Sequence, residues 1–155
     1  MGNANEKKGR VLGVDLGDVR TGLALSDEGQ FLAGGIGTIT VGGMMKTAAR
    51  IAEEAKMRGA VLIVLGLPRN MDGSEGPRAA RVRAFAEILG GKTDLPIRFY
   101  DERLSTVEAH GFLHATGVGG RRRRLVVDTL SAEIILQDFL DAEMQNSKEK
   151  FPPIT

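Results

Sequence analysis

The stretch V-L-G-V-D-L-G-D-V-R-T-G-L-A-L-S-D, Val11 to Asp27, sets the reading of the whole chain. It holds two short apolar runs, residues 11–17 and 20–26, joined by a tight turn through Gly17 and Asp18, and so predicts two antiparallel strands. A glycine-rich segment over 31–41, irregular at Gly34 and Gly35, extends them to a three-strand meander. Asp15 does not fit this pattern, because it stands in the first run between Val14 and Leu16. Strand interiors are poor in Asp, and a carboxylate buried without a partner is costly or gives up its charge.

Beyond the meander the hydrophobic period changes. Met45, Ala48, Ala49, Ala52 and Ala55 share one helical face, with Glu53, Glu54 and Lys56 placed elsewhere, and Gly59 closes the helix. Residues 61–65, V-L-I-V-L, read as a strand buried on both faces. A loop of helix and strand breakers covers 66–73. A helix over 76–89 turns Val82, Phe85, Ala86 and Leu89 inward, with a cap expected at Ser74, and residues 97–100 form the last strand. Ser105 to Glu108 is a capping-box pattern that opens a further helix. Residues 116–124 break that helix. A final one over 126–143 carries Leu130, Ile134, Ile135, Phe139 and Leu140 as its stripe. One domain over 10–144 is expected, with flexible tails at 1–9 and 145–155. The order β-β-β-α-β-α-β-α-α predicts an α/β fold: a mixed five-stranded sheet, meander then βαβ crossovers, with helices on both faces. This is the element order of the ribonuclease H-like fold.

Bulk composition narrows the chemistry. The 155 residues contain no cysteine, which excludes disulfides, thiolate metal sites and cysteine nucleophiles and fits a reducing compartment. Only two histidines are present, His110 and His114, spaced i,i+4 but without the intervening pattern of a zinc protease. No apolar run is long enough to cross a bilayer, and the N-terminus lacks the apolar core of a signal peptide, so a cytoplasmic protein with no membrane partner is expected. Net charge is +1, yet the arginines are uneven: Arg78, Arg81 and Arg83 cluster, and Arg121, Arg122, Arg123 and Arg124 form an unbroken run. There is no Walker loop and no nucleophile elbow.

Three acidic positions stand at element ends or inside strands: Asp15, Glu102 directly after the last strand, and Asp128 near the expected start of the last helix. Each has a plain structural reading. Asp15 can be a hydrogen-bonded strand residue, Glu102 a surface charge, and Asp128 a first-turn partner of the helix dipole. Asp101 reads best as a partner of Arg103 or of turn N–H groups. Brought together, Asp15, Glu102 and Asp128 would repel one another unless a hard cation, Mg²⁺ or Mn²⁺, lay among them. Two such ions roughly 4 Å apart serve in-line phosphoryl displacement.

The segments G-V-D-L-G-D-V-R-T-G-L-A-L-S-D, V-L-G-L-P-R-N-M-D-G-S-E-G, D-E-R-L-S-T-V-E-A and V-D-T-L-S-A-E-I-I-L-Q together resemble the YqgF family, also called RuvX. The resemblance spans about residues 10–140. It implies metal-dependent phosphodiester cleavage, with maturation of the 16S rRNA 5′ end as the usual role and resolution of branched DNA (Holliday junctions) as another. The family's three acidic residues fall on Asp15, Glu102 and Asp128, and the arginine of its first motif on Arg20. Ser131 stands where alanine is common.

Nucleic-acid contacts are expected from Arg20, Arg69, Asn70, Arg103 and the run Arg121 to Arg124, the last with salt-dependent affinity. The plain alternatives are a mobile loop for the run and a turn leading to a helix cap for Arg69 and Asn70. Phe85, Phe112 and Phe139 read as core, not as base-stacking platforms. The expected partners are structured RNA such as precursor rRNA, or branched DNA, and ribosomal particles, acting on a monomer or a homodimer. The competing functions are a junction resolvase, a non-catalytic ribosome- or nucleic-acid-binding module, and an actin-like phosphate-handling domain. The last needs two facing domains, for which this chain has no room.

Overall fold

The computed structural model describes residues 8–104 and 120–150, with side chains over 8–103 and 129–146. The chain forms β1 (Arg10–Leu16), β2 (Thr21–Ser26), β3 (Ala33–Ile39), α1 (Gly43–Met57), β4 (Ala60–Leu67), α2 (Pro77–Gly90), β5 (Ile97–Asp101), a 3₁₀ turn (Glu102–Leu104) and α3 (Gly120–Lys150). The helix expected from Ser105, with His110, Phe112 and His114, lies outside the described residues.

The sheet runs β3-β2-β1-β4-β5. The meander pairs are antiparallel, and β1/β4 and β4/β5 are parallel. Alternation along each strand divides its side chains between two layers. Leu12, Val14, Leu23, Ile63 and Leu65 meet Ala48, Ile51 and Ala55 of α1 and Ala79, Val82, Phe85 and Leu89 of α2. On the other face Val11, Ala24 and Val64 meet Ala132, Leu136, Phe139 and Leu140 of α3. Ile63, Val64 and Leu65 are fully buried, so β4 is covered on both sides, as its unbroken apolar run predicts.

On the second face, glycines let α3 lie close to the sheet. A Cβ on Gly13 of β1 would stand 2.8 Å from the Leu136 Cβ, and one on Gly35 of β3 would meet the Thr129 side chain. The helix also ties down the edge strand. The Ala33 N–H donates to Gln137 Oε1 at 2.8 Å and the Gly35 N–H to Glu133 Oε1 at 3.0 Å.

Several expectations shift. On α1 the inward face is Ala48, Ile51 and Ala55, while Met45 and Ala49 point to solvent. Glu54, expected off the inward face, is buried, because Arg50 (3.2 Å) and Arg58 (2.8 Å) bracket it one turn away on each side and neutralise it. The irregularity of β3 falls at Ile36, where Leu23 pairs Gly37 and Ala24 pairs Gly35. The N-cap of α2 is Gly76, followed by Pro77 at the first helical position, and not Ser74, whose hydroxyl donates to Asp72 instead. The last helix begins at Gly120 and reaches Lys150, so the arginine run is helical and not a break, and Asp128 stands more than two turns in.

Candidate active site

Asp15 is the penultimate residue of β1, and Glu102 is the first residue after β5. Strand alternation puts both on the α3 side of the sheet, Asp15 in step with Val11 and Gly13, Glu102 in step with Tyr100. β4 runs between them. Val14 pairs Leu65, which sets Asp15 beside Gly66 at the next step, and Gly66 itself pairs Tyr100. The carboxyls would be walled apart by any side chain at position 66. A Cβ there would lie 3.0 Å from Glu102 Oε1 and 2.8 Å from Ile135 Cδ1. Gly66 is therefore the opening through which Glu102 reaches across β4 to Asp15.

The two side chains share a hydrogen bond, which requires a proton on one of them. Burial first, and the Asp15 charge second, push the Glu102 carboxyl up from 4.5 to about 7, while Arg78 pulls it back and Asp101 adds to the rise. The donor set is hard oxygen, mutually repelling and partly withdrawn from water, so it fits a divalent ion of the Mg²⁺ or Mn²⁺ type taking the proton's place. Among the described residues no three acidic or histidine side chains group as a metal site. The Asp128 side chain lies outside those residues; its backbone sits one helical turn before Ala132, which is buried against the sheet.

Asp101 faces the other way and is engaged. Arg103 donates to it from its backbone N–H (3.0 Å), from Nε (2.9 Å) and from an Nη (2.6 Å), which holds the Asp101 carboxyl below the usual range. The plain reading of that pair stands. Arg103 also donates to the Met71 carbonyl at 3.3 Å, so it pins the loop 68–76 to the end of β5. The same loop is held by Glu75, which accepts two bonds from Arg83 (2.6 and 2.7 Å) and pairs Arg69 at 3.3 Å. Asn70 binds Ser74 through its backbone N–H and its side-chain amide, both at 2.9 Å, as a turn residue does. Arg20 is half-buried, directly before β2. Arg121 to Arg124 open α3, their side chains outside the described set.

Two contributors escaped the sequence reading. Gly66 carried a signal, a glycine closing a buried apolar run, which marks a close approach. Arg78 carried a fainter one, a cation in the first turn of a helix, against the macrodipole. Arg78 lines a narrow cleft with Leu16, Asp18, Pro68, Arg81 and Val82 at the ends of β1 and β4. A larger hollow of about 540 Å³ lies at the opposite end of β4, around Lys56, Ala60 and Lys92, and shares no residue with the acidic pair.

The chain is similar to known proteins over most of its length. The family model described as "RuvX: Holliday junction resolvase" matches residues 9–142. The chain belongs to the RuvX family. A relative from Pelotomaculum thermopropionicum named "Putative pre-16S rRNA nuclease" is 45% identical over 141 residues, covering 90% of this chain and 92% of that protein. One of the same name from Kineococcus radiotolerans is 47% identical over 139 residues, covering 88% and 74%. Among solved structures, Thermus thermophilus RuvC in complex with a Holliday junction substrate matches with a TM-score of 0.54 at 14% identity, over 87% of this chain and 95% of that one. The fowlpox virus Holliday junction resolvase matches at 0.52 and 8% identity, over 86% and 99%. At such identities the likeness is one of fold, and it bears out the ribonuclease H-like architecture. Hydrolysis of phosphodiester bonds is the reaction class that unites the nuclease and resolvase names of this group. Among the described residues no helix is long and apolar enough to cross a membrane.

Proposed function

We propose that this RuvX-family chain is a divalent-metal-dependent endonuclease acting on structured RNA, with precursor 16S rRNA as substrate. The observation that carries the reading is the convergence of Asp15 and Glu102 from two non-adjacent strands through the opening at Gly66. A fold has no structural need for two repelling carboxyls in one half-buried place. The names of the relatives point to the RNA substrate.

In this reading Asp15, Glu102 and Asp128 would hold the divalent metal, which would supply polarisation of the phosphoryl oxygens and activation of water. The chain's own residues do the rest. β1 and β5 fix the two carboxylates rigidly at the sheet end, and Gly66 keeps the gap between them open. Arg20, Arg69, Asn70, Arg103 and the arginines of the first turns of α3 bind backbone phosphates and set the register of the substrate. The pinned loop 68–76 presents its residues without an ordering cost at binding. The domain spans residues 10–144, works in the cytoplasm as a monomer or homodimer, and meets its RNA in ribosomal particles.

Branched DNA is the second reading, favoured by the family description and by the fold of the resolvases. Incubating the protein with a precursor 16S rRNA fragment and with a four-way DNA junction, each with Mg²⁺, Mn²⁺ or chelator, separates the two. Metal-dependent cleavage of the RNA is expected. Cleavage of the junction alone transfers the assignment to DNA, and cleavage of both in chelator removes the metal from the chemistry.

A further inference from the structure

The described arginines are nearly all engaged. Arg10 donates to the Ser26 carbonyl, Arg50 and Arg58 hold Glu54, Arg69 and Arg83 hold Glu75, Arg81 holds Asp18, Arg98 holds Glu143 and Arg103 holds Asp101. Arg20 also has a partner. Among the described residues Arg78 is the arginine with neither hydrogen bond nor ion pair, and it is exposed. It is also badly placed for stability. It sits in the first turn of α2, where the helix dipole repels a cation and where no acidic residue offsets it. It stands all the same at the sheet end that carries the acidic pair, on the α2 side: it lines the cleft with Leu16, which packs in that layer, and with Pro68, two residues beyond Gly66. Its field reaches Glu102.

A cation kept unpaired, against the helix dipole, at the same sheet end as the carboxylate pair is available for an anion that arrives with the substrate. We propose that Arg78 is the phosphate anchor of the active site, its guanidinium gripping non-bridging oxygens of the phosphodiester presented to Asp15 and Glu102. The planar fork of arginine suits two oxygens of one phosphate. This rests on the phosphodiesterase reading above, and it adds a substrate-touching residue to that reading.

The test is made where cleavage cannot interfere. In an Asp15→Asn background, binding of a precursor 16S rRNA stem is measured from low to high salt, with Arg78 intact and with Arg78→Gln or Arg78→Lys. Arg78→Gln is expected to weaken binding and to lower the slope of log affinity against log salt by about 0.7 to 0.9, one phosphate contact. Arg78→Lys keeps the slope, because the charge remains. In the otherwise wild-type chain, Arg78→Gln and Arg78→Lys both lower kcat, the lysine because it grips as a point charge. Thermal midpoints stay within a degree or two, which separates an anchor from a structural role. An unchanged slope and affinity in Arg78→Gln overturns the proposal, as does loss of folding in both variants. Arg78-dependent binding by a wild-type chain that cleaves nothing sustains the anchor while removing the nuclease reading. Absence of any binding, to RNA or to a four-way DNA junction, overturns both.

Discussion

At the scale of the residue, the site depends on a shared proton and a missing side chain. Glu102 keeps its proton up to about pH 7 in the folded protein, against 4.5 for the free group. The sign follows from linkage: a raised folded-state pKa contributes stability that is complete below 4.5 and is lost as pH rises through about 7. In chelator the thermal midpoint should therefore fall between pH 5 and pH 8, and Mg²⁺ should restore it most at pH 8. Asp15→Asn removes the repelling charge and should flatten this fall, raising metal-free stability at pH 8 by about 1 kcal/mol. A midpoint indifferent to pH and to Mg²⁺ would show that the two carboxyls do not interact. Gly66→Ala is the complementary change. Its methyl would press on Glu102 and Ile135 and should cost about 1–3 kcal/mol. Cleavage should drop by roughly 100-fold through displacement of Glu102. Full activity in Gly66→Ala would mean that Glu102 need not cross β4. Asp15 was legible in the sequence because an acid inside an apolar strand demands a partner. Glu102 was legible only in company, since it is not unusual where it stands, and Asp128, whose side chain lies outside the described residues, stays part of the proposal. Gly66 and Arg78 were not read as site residues, because their meaning lies in what neighbouring strands bring to them.

At the scale of the element, periodicity found every strand, and it found α2 nearly to the residue. It misjudged α1, where a run of alanines offers two faces and the choice is made by Ile51 and by the arginine clamp on Glu54. It also stopped α3 too late at its start, because four arginines after three glycines within five residues look like a loop, whereas arginine is a good helix former once the helix is nucleated. Replacing Arg121 to Arg124 by Ala should weaken RNA binding and flatten its salt dependence; filter binding across a salt series reads this directly, and an unaltered slope removes the run from the interface. The close seat of α3 on Gly13 is as specific. Gly13→Val should lift the helix and cost about 1–3 kcal/mol in chemical denaturation, while a value near zero would show a looser contact.

At the scale of the whole molecule, a meander followed by two parallel crossovers permits few sheets, and the order β3-β2-β1-β4-β5 is the one that keeps the crossovers short and brings the ends of β1 and β5 to either side of β4. That topology is what makes residues 15 and 102 neighbours; element order alone predicted the mixed sheet and its crossovers, but not that β4 stands between β1 and β5. What element order could not give is the depth of the site, which depends on the glycines that let α3 and Glu102 approach the sheet. The account's central claim is that this sheet end hydrolyses phosphodiester bonds with a divalent ion held by its carboxylates. The most direct test is the initial rate of cleavage of a precursor 16S rRNA fragment in Mn²⁺ or Mg²⁺, comparing the wild-type chain with Asp15→Asn and Glu102→Gln at matched folded concentration. Cleavage by the wild type and a loss of at least 100-fold in each variant is the predicted result; variants that cut as fast as the wild type would contradict the claim.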